Sequence, residues 1–397
     1  MCAFRLSQRI PADQKKNLLA QALHERPAGK PLLDLISSNP TTTGLAPSIS
    51  SLWGNIPPKA LDTYSPNALG SASARASLAR ALSEDRGHEV DPEDLVLLSS
   101  TSDAYGLLFR ILANPGDEVL VPTPSYPLFD QIAGLEGLKL RRYSLRYASG
   151  DWYLDRSSCF IREEHGPGTA AILCVHPNNP TGSYLSKEEA DFLQSLANNA
   201  KIPLVVDEVF YEYKLRQNEN SAPSFIRPSE SPTITLGGMS KALCLPQQKL
   251  SWIHLSGPEG FRQSMRQALE YAADAYLNLS GPAQAMLPQL MDIRHEVQGR
   301  VTNRLKSNLK TLEEYLRESP LSLLAPSGGW YAILHLPPVQ SDLQWALNLL
   351  EAEDILVHPG YLFDLPQEAH LVLSLIVSPE IFQEGLARML NYVNKQL

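Results

Sequence analysis

Six short apolar runs lie between residues 95 and 256, and stretches of helical length separate them. The runs are 95–98, 118–121, 170–175, 203–206, 233–236 and 250–255. Strands buried on both faces are continuously apolar, and parallel neighbours need a crossover segment that is usually a helix. This alternation predicts an α/β fold with a large domain whose mostly parallel sheet is flanked by helices on both faces.

The pattern changes near Pro282, where a polar stretch with helical apolar spacing predicts one long helix that reaches about Ser319. After it come a run at 328–334, a helix near 342–353, a run at 370–377 and a last helix from Pro379. We predict a smaller α+β domain of residues 1–45 and 285–397 beside a large domain of residues 46–284. The spacing of Ser186 and Glu189 is that of a capping box, which predicts a helix ending near Asn199.

Composition narrows the class of protein. The chain has 397 residues, more than one small core organises, and its formal net charge of −9 argues against a nucleic-acid surface, which needs a basic face. A polar start and the lack of any apolar run of about 18 residues predict a cytoplasmic protein that does not engage a membrane. The four cysteines form no CxxC pair, so neither a disulfide framework nor a metal site is expected.

Three polar clusters follow strand-like runs, and in open α/β sheets ligands lie at the carboxyl ends of the strands. The first is Asp207, directly after the run 203–206. A carboxylate there could stay ionised against a protonated heterocyclic nitrogen. Acidic residues at strand ends are also commonly solvated loop residues, so Asp207 alone indicates little.

The second cluster is Ser240 and Lys241, which follow the run 233–236 and the pair Gly237 and Gly238. A lysine in this position can reach a site close to the backbone. Its amine can form a Schiff base once a nearby positive charge lowers its pKa. A lysine taken at random is more often a surface charge, so this cluster also needs support from other residues.

The third cluster is the hydroxyl-rich segment 99–102, between the first apolar run and an apolar helix that starts near Asp103. Hydroxyls and free N–H groups at a helix N-terminus form a site that suits a phosphate. An ordinary helix cap uses the same residue types, so both interpretations stay open.

A fourth motif joins these clusters. Residues 176–182 read His-Pro-Asn-Asn-Pro-Thr-Gly. With Asp207-Glu208-Val209 and Ser240-Lys241, this segment resembles the aspartate aminotransferase superfamily, the fold type I pyridoxal-phosphate enzymes of aminotransferase class I/II. The resemblance extends from Asn39 to the C-terminal helix. It implies an enzyme that binds pyridoxal 5'-phosphate in its large domain and transfers an amino group between an amino acid or related amine and a keto acid.

The resemblance also implies roles for individual residues. Lys241 would bind the cofactor covalently and move protons, and Asp207 would pair with the pyridine nitrogen; these are the implied catalytic residues. Tyr64 resembles the tyrosine that reaches the phosphate of the neighbouring subunit, which implies a homodimer. The other implied cofactor contacts are Asn179 at the phenolic oxygen, Tyr126 stacked on the ring, and Ser100, Thr101, Ser102, Ser240 and Lys249 around the phosphate. In a generic fold, Tyr126 would be a core aromatic residue.

Two positions near the cofactor depart from the family pattern. Phe210 stands where a tyrosine is usual, and Tyr211 or Tyr213 could supply the missing hydroxyl. Lys249 stands where an arginine binds the phosphate; it keeps the charge but loses the bidentate fork.

The third departure concerns the substrate. Val372 stands where an arginine usually binds the substrate carboxylate, and no arginine occurs between Leu371 and Ile381 to correct a shift in register. Either another cation replaces it or the substrate presents a different group there. The candidate cations are Arg26, Lys30 and His335.

Three functional hypotheses follow. Transamination is the first, and the second is a lyase, decarboxylase or synthase of the same fold, which the missing carboxylate-binding arginine favours. The third is a cofactor-sensing regulator, which would need an attached DNA-binding module; the sequence before Asn39 has no room for one. A nicotinamide dehydrogenase and a serine hydrolase are disfavoured because no G-x-G-x-x-G follows a strand and no G-x-S-x-G occurs.

Overall fold

A computed structural model describes residues 7–11, 17–27, 29–161, 168–277, 279–365 and 369–397. Its strands are β1 (Leu33–Asp34), β2 (Leu95–Leu98), β3 (Glu118–Thr123), β4 (Lys139–Ala148), β5 (Asp151–Leu154), β6 (Thr169–Val175), β7 (Leu204–Asp207), β8 (Thr233–Gly238), β9 (Ser251–Ser256), β10 (Ser322–Leu324), β11 (Tyr331–His335), β12 (Ile355–Leu356), β13 (His358–Pro359) and β14 (His370–Ser374). Its α-helices are α1 (Leu18–Glu25), α2 (Pro58–Asp62), α3 (Ala72–Arg86), α4 (Thr101–Leu112), α5 (Leu128–Glu136), α6 (Lys187–Asn199), α7 (Met239–Ala242), α8 (Glu259–Asp274), α9 (Gly281–Asp292), α10 (Arg294–Leu316), α11 (Asp342–Glu353) and α12 (Pro379–Gln396).

The main sheet has eight strands in the order β2-β9-β8-β7-β6-β3-β4-β5. The four central pairs, from β8 to β4, are parallel, and the outer pairs are antiparallel. All six apolar runs are strands of this sheet, so the predicted mostly parallel α/β architecture is confirmed.

The edge hairpin β4–β5 was not predicted. Its first strand is only partly buried and carries Arg141, Arg142 and Arg146, so it lacks the continuous apolar run of a central strand. Ser149 and Gly150 both have positive φ angles, 55° and 86°, which suits the tight turn of a two-residue hairpin.

Helices cover both faces of the main sheet, as predicted. The helices α4, α5 and α8 bury their apolar residues against one face. On the other face, α6 packs over β6 and β7, while α3 packs with the helices of the C-terminal part. The carboxyl ends of the parallel strands therefore open between these layers at one edge of the sheet.

The C-terminal part contains a four-stranded antiparallel sheet in the order β10-β11-β14-β13. The N-terminal segment packs here, because β1 pairs with β12 and Leu35 contacts the backbone at Gly385. Arg26 and Lys30 each form a 2.6 Å ion pair with Asp354. The division into domains of 46–284 and of 1–45 with 285–397 stays a prediction.

The single helix predicted from Pro282 to about Ser319 is wrong, because two helices, α9 and α10, occupy this stretch. They meet at Ile293, whose φ of −93° and ψ of 3° lie outside the helical region. The Arg294 guanidinium donates to the carbonyl of Met291 and so satisfies an acceptor that the break exposes. Apolar spacing continues across the break, so the pattern alone could not reveal it.

None of the helices within the described ranges has the length and apolarity needed to cross a membrane. Cys159, Cys174 and Cys244 are buried free thiols, while Cys2 lies outside the described residues.

Candidate active site

A cavity of about 160 Å³ lies where β6, β7 and β8 end and α4 begins. The side chains that line it come from the main sheet, from the helices beside it and from the C-terminal sheet. They are Ser38, Thr101, Ser102, Tyr105, Tyr126, Leu128, Phe129, Ile132, Val175, Asn179, Asp207, Val209, Phe210, Gly238, Ser240, Lys241, Ser251 and Tyr331. Seven of the ten residues implied to be catalytic or to bind the cofactor thus meet at one place: Thr101, Ser102, Tyr126, Asn179, Asp207, Ser240 and Lys241.

Lys241 lies on the short helix α7, directly after β8. A side chain at Gly237 would collide with the Trp252 ring, whose atoms lie 2.5 Å from the position of a Cβ, so glycine lets β8 and β9 approach closely. Burial lowers the pKa of Lys241 to about 8, whereas Asp207 acts in the opposite direction. The lowered pKa expected from a nearby positive charge therefore arises from desolvation instead.

Asp207 is the last residue of β7 and is 7% exposed. Its Oδ1 accepts a hydrogen bond from the backbone N–H of Val209 at 2.9 Å, and its Oδ2 accepts one from the Tyr105 hydroxyl at 2.6 Å. Burial raises the pKa of Asp207, and the Tyr105 and Val209 hydrogen bonds and the Lys241 charge oppose that rise. Sequence reasoning missed Tyr105, although a tyrosine on the apolar face of a helix needs a partner for its hydroxyl.

The hydroxyl side chains near the start of α4 divide into one that caps the helix and others that line the cavity. The Oγ of Ser100 accepts from the backbone N–H of Asp103 at 3.0 Å and caps α4, and Ser100 is not among the residues that line the cavity. Thr101, Ser102 and Ser240 line the cavity, and the described residues offer their hydroxyls no hydrogen-bond partner. These free donors meet the N-terminus of α4, whose first N–H groups also lack helical partners.

Asn179 and Tyr126 contribute from the loops that follow β6 and β3. Asn179 is buried, and within the described part of the chain its Oδ1 atom has no hydrogen-bond partner. Tyr126 is half-exposed and contacts Phe129 edge to face, with ring centres 6.2 Å apart. Both side chains border the cavity, one as an unused polar group and one as an aromatic wall.

Two of the predicted cofactor residues lie apart from this cavity. Lys249 is exposed and does not line the cavity. It directly follows a short 3-10 helix and has a φ of 50°. Tyr64 is 80% exposed and borders a separate cleft of about 300 Å³ with Leu277, Leu279 and Pro282.

The substitutes considered for the tyrosine missing at position 210 do not reach the cavity. Tyr213 donates its hydroxyl to the backbone carbonyl of Lys241 at 2.5 Å, and Tyr211 lies beneath the guanidinium of Arg86. Phe210 itself lines the cavity, and Tyr331, which the sequence did not single out, lines it as well.

Val372 lies in β14, opposite Ile333 of β11, and is completely buried in an apolar cluster. The three candidate replacement cations are elsewhere: Arg26 and Lys30 bind Asp354, and the ring of His335 lies 5.0 Å from that of His370 beside a different cavity. Of the described residues that line the active-site cavity, Lys241 is the one cation.

Comparisons with known proteins agree on one family. The profile of the family described as "Aminotransferase class I and II" matches residues 61–387. A probable aminotransferase of Arabidopsis thaliana is 25% identical over 85% of this chain and 76% of its own length. An S-alkyl-thiohydroximate lyase of the same plant is 24% identical over 84% of this chain and 73% of its own. The crystal structure of tyrosine aminotransferase from Leishmania infantum covers all of this chain with 99% of its own, at a TM-score of 0.85 and 21% identity.

Proposed function

Since the chain belongs to the class I and II aminotransferases and is itself an aminotransferase, we propose that it uses pyridoxal 5'-phosphate to move an amino group between an amino compound and a keto acid. The family generally depends on this cofactor. One observation carries the proposal: a single cavity holds the Lys241 amine, the Asp207 carboxylate and a group of free hydroxyls.

The donor set of the cavity fits the cofactor. Hydroxyls of Thr101 and Ser102 at the N-terminus of α4, together with that of Ser240 on α7, suit a phosphate. The Asp207 carboxylate suits a protonated ring nitrogen, and the side-chain amide of Asn179, which has NH₂ donors as well as an Oδ1 acceptor that is unpartnered among the described residues, suits the phenolic oxygen. We also propose that Lys249, although exposed in this structure, places a positive charge near the phosphate. Ser100 would contribute by capping the N-terminus of α4.

Pyridoxal 5'-phosphate, when bound, supplies an electron sink for the negative charge that develops on the α carbon of the substrate. Asp207 would hold a proton on the ring nitrogen, because an ionised carboxylate stabilises a cation beside it. Tyr126 would cover one face of the ring. These roles are proposals that the shared lining of one cavity supports.

Lys241 would act twice, as the covalent anchor and as the group that moves a proton. A lysine whose pKa is near 8 is a neutral amine in a useful fraction of molecules at physiological pH. The neutral amine would hold the cofactor covalently. The same nitrogen would accept a proton from the substrate α carbon and donate it at a neighbouring position, while the cofactor would supply only the electron sink.

The lining also limits the substrate. Apart from Lys241 and Asp207, the described residues that line the cavity are uncharged, and several are aromatic or aliphatic. A substrate carboxylate left facing this wall would be desolvated without a partner. We therefore propose a substrate that is larger and less acidic than aspartate or glutamate, or that lacks a free α-carboxylate.

A lyase, decarboxylase or synthase reaction is the second candidate, because one relative is a lyase and Lys241 is the one cation among the described residues that line the cavity. The two candidates differ in their products. Transamination converts the cofactor to its pyridoxamine form and yields a keto or aldehyde product in equal amount, whereas the alternatives return the cofactor unchanged.

We further propose a homodimer in which Tyr64 reaches the site of the neighbouring subunit. Its support is the exposure of Tyr64 and Leu61, which border the same cleft. Apolar surface of this kind commonly marks an interface. The cytoplasmic location stays a prediction from composition.

The test is spectroscopic. Cofactor-free protein is titrated with pyridoxal 5'-phosphate, and the loaded protein is then mixed in turn with amino acids and simple amines. A donor that moves the absorption to that of the pyridoxamine form supports transamination. A donor consumed without that change supports the second candidate, and a protein that does not take up the cofactor contradicts both.

A further inference from the structure

Tyr105 lies on the face of α4 that packs against the main sheet, and its hydroxyl donates the 2.6 Å hydrogen bond to Oδ2 of Asp207. Tyr105 is 3% exposed. Its ring contacts Phe129 edge to face at 5.1 Å and Phe109 at 6.1 Å between centres. A ring enclosed in this way cannot turn aside, so the hydroxyl is a fixed donor beside the carboxylate.

We infer that Tyr105 is a positioning residue for Asp207, and that its hydroxyl keeps the carboxylate ionised and turned toward the cavity. The inference rests on the proposed function, in which Asp207 pairs with a protonated ring nitrogen of the cofactor. It adds a member to the site that neither the motifs nor the family comparison assigns.

The hydrogen bonds of Asp207 leave room for that pairing. A carboxylate oxygen can accept about two hydrogen bonds. Tyr105 occupies one position on Oδ2 and the Val209 N–H occupies one on Oδ1, so each oxygen keeps an acceptor position. Asp207 borders the cavity, where a cationic ring nitrogen would meet one of them.

The groups around Asp207 show why the Tyr105 hydroxyl matters for the ionisation of this carboxyl. The titratable groups that face it are Tyr105 from α4, Lys241 from α7, Tyr126 from the loop before α5, and Cys174 from β6. Burial raises the pKa of Asp207, and Tyr105 and Lys241 are the side chains among them that lower it.

The contribution of Lys241 disappears when its amine is neutral, whereas Tyr105 stays a donor. Burial and the Asp207 charge raise the pKa of Tyr105 well above its ordinary value, so the phenol keeps its proton. During a reaction in which Lys241 acts as a neutral base, Tyr105 is then the side chain that continues to stabilise the carboxylate. Without the Tyr105 hydroxyl, the backbone N–H of Val209 remains as a donor to Asp207.

A buried tyrosine can also be simple packing, so the experiment needs a matched control. Tyr143 is 1% exposed, and its hydroxyl donates a 3.0 Å hydrogen bond to the backbone carbonyl of Leu173. Tyr143→Phe therefore removes one buried hydroxyl and one hydrogen bond, as Tyr105→Phe does, without touching Asp207. Both changes keep the ring and its packing.

Two quantities are measured on the full chain. The first is the acid dissociation constant of Asp207 in cofactor-free protein, from the pH dependence of its carboxyl ¹³C resonance, assigned with Asp207→Asn. Tyr105→Phe should lower this constant about tenfold or more, the effect of losing a hydrogen bond to a charged acceptor. The second is kcat of the cofactor-loaded enzyme, which should fall about tenfold to a hundredfold while KM changes less than about threefold.

Tyr143→Phe should alter neither quantity. The inference is overturned if Tyr105→Phe behaves like that control, or if the acid constant falls and kcat does not. A wild-type chain that fails to bind pyridoxal 5'-phosphate overturns the proposed function, and with it the role toward the cofactor. That failure is recognised separately, because the titration of Asp207 is read without cofactor.

Discussion

The Nζ atom of Lys241 lies 4.8 Å from the centre of the Trp330 ring. The face of an indole attracts a cation, yet burial disfavours the charged amine and lowers its pKa to about 8. Trp330 is completely buried, so the ring also fixes the direction of the lysine side chain. The amine is thus held in place and is partly neutral near physiological pH, as a nucleophile and base requires.

Lys241→Ala should abolish turnover, with a loss of at least about a thousandfold, because it removes both the covalent anchor and the proton carrier. The protein should stay folded and can still hold cofactor without a covalent bond. Borohydride reduction of the loaded wild-type enzyme, followed by peptide mapping, should label Lys241. Lys187→Ala, at an exposed position of α6, serves as the control and should keep full activity. A label on any other lysine contradicts the assignment.

Asp207→Asn should cost far more activity than stability, because a neutral amide cannot hold a proton on the ring nitrogen. We expect kcat to fall at least about a hundredfold, with a melting temperature of the cofactor-free protein that is little changed or raised. The expected direction follows from the buried charge that the substitution removes. If Asp207→Asn turned over at nearly the wild-type rate, another residue would have to hold the proton on the ring nitrogen.

The free energy of unfolding of cofactor-free protein should depend on Glu208. Burial raises the pKa of this carboxyl from 4.5 to about 7, although Ser224 and the Phe225 N–H donate to it. The folded state therefore binds the proton more tightly than the unfolded state, so the stabilisation is complete below about pH 4.5 and is lost as the pH rises to 7.

Denaturant titrations across this range should show a fall on the order of 2–3 kcal/mol from Glu208. Glu208→Gln should flatten the profile, because the amide does not titrate. Glu219→Gln, at an exposed glutamate, should leave it unchanged. A profile equally steep in Glu208→Gln and in the wild type shows that other groups produce the slope.

The sequence predicted the central strands well, because their apolar runs reflect burial on both faces. It failed where burial is one-sided, at β4, and where apolar spacing runs through a break, at Ile293. The arginines of β4 hide its strand character, and the break at Ile293 leaves the apolar spacing unchanged. Turn geometry and packing from distant elements determine both.

The sequence predicted those site residues that lie at the carboxyl ends of strands. Lys241, Asp207 and Asn179 meet because the carboxyl ends of parallel strands share one edge of the sheet. Tyr105 is 102 positions from Asp207, and only the packing of α4 against the sheet brings their side chains together. Lys249 matched the spacing of a phosphate ligand, yet it lies exposed outside the lining.

Tyr64 should complete the site of the partner subunit, and this can be tested by mixing two variants at a pyridoxal 5'-phosphate concentration that loads the wild type but leaves Tyr64→Ala mostly empty. Tyr64→Ala should weaken cofactor binding about tenfold, the effect of losing a hydrogen bond to a charged group. Equal amounts of Tyr64→Ala and Lys241→Ala, unfolded and refolded together, should regain about a quarter of wild-type activity, because half the dimers then hold one intact site. A mixture no more active than the separate variants, when sedimentation confirms mixed dimers, contradicts a shared site.

The last prediction concerns the substrate carboxylate. Val372 is packed against Ile333 in an apolar cluster, and Arg26 and Lys30 are bound to Asp354, so none of them offers a charge to the cavity. A hydrogen bond to a charged group is worth about 1.5–3 kcal/mol, which corresponds to roughly a 10- to 150-fold preference for a carboxylate where a guanidinium is present. Because position 372 is a valine in this chain, we expect no preference for a free α-carboxylate over an uncharged group.

Steady-state kinetics with matched pairs test this directly: L-phenylalanine against its amide, and L-leucine against its amide, with aspartate and glutamate alongside. The amide keeps the size and the α proton but removes the negative charge, so its kcat/KM should equal or exceed that of the free acid. Aspartate and glutamate should be weak donors, because each brings a second carboxylate into an apolar lining. Saturable turnover of aspartate or glutamate at sub-millimolar concentration, or a preference of tenfold or more for the free acid, would mean that another cation has replaced the arginine.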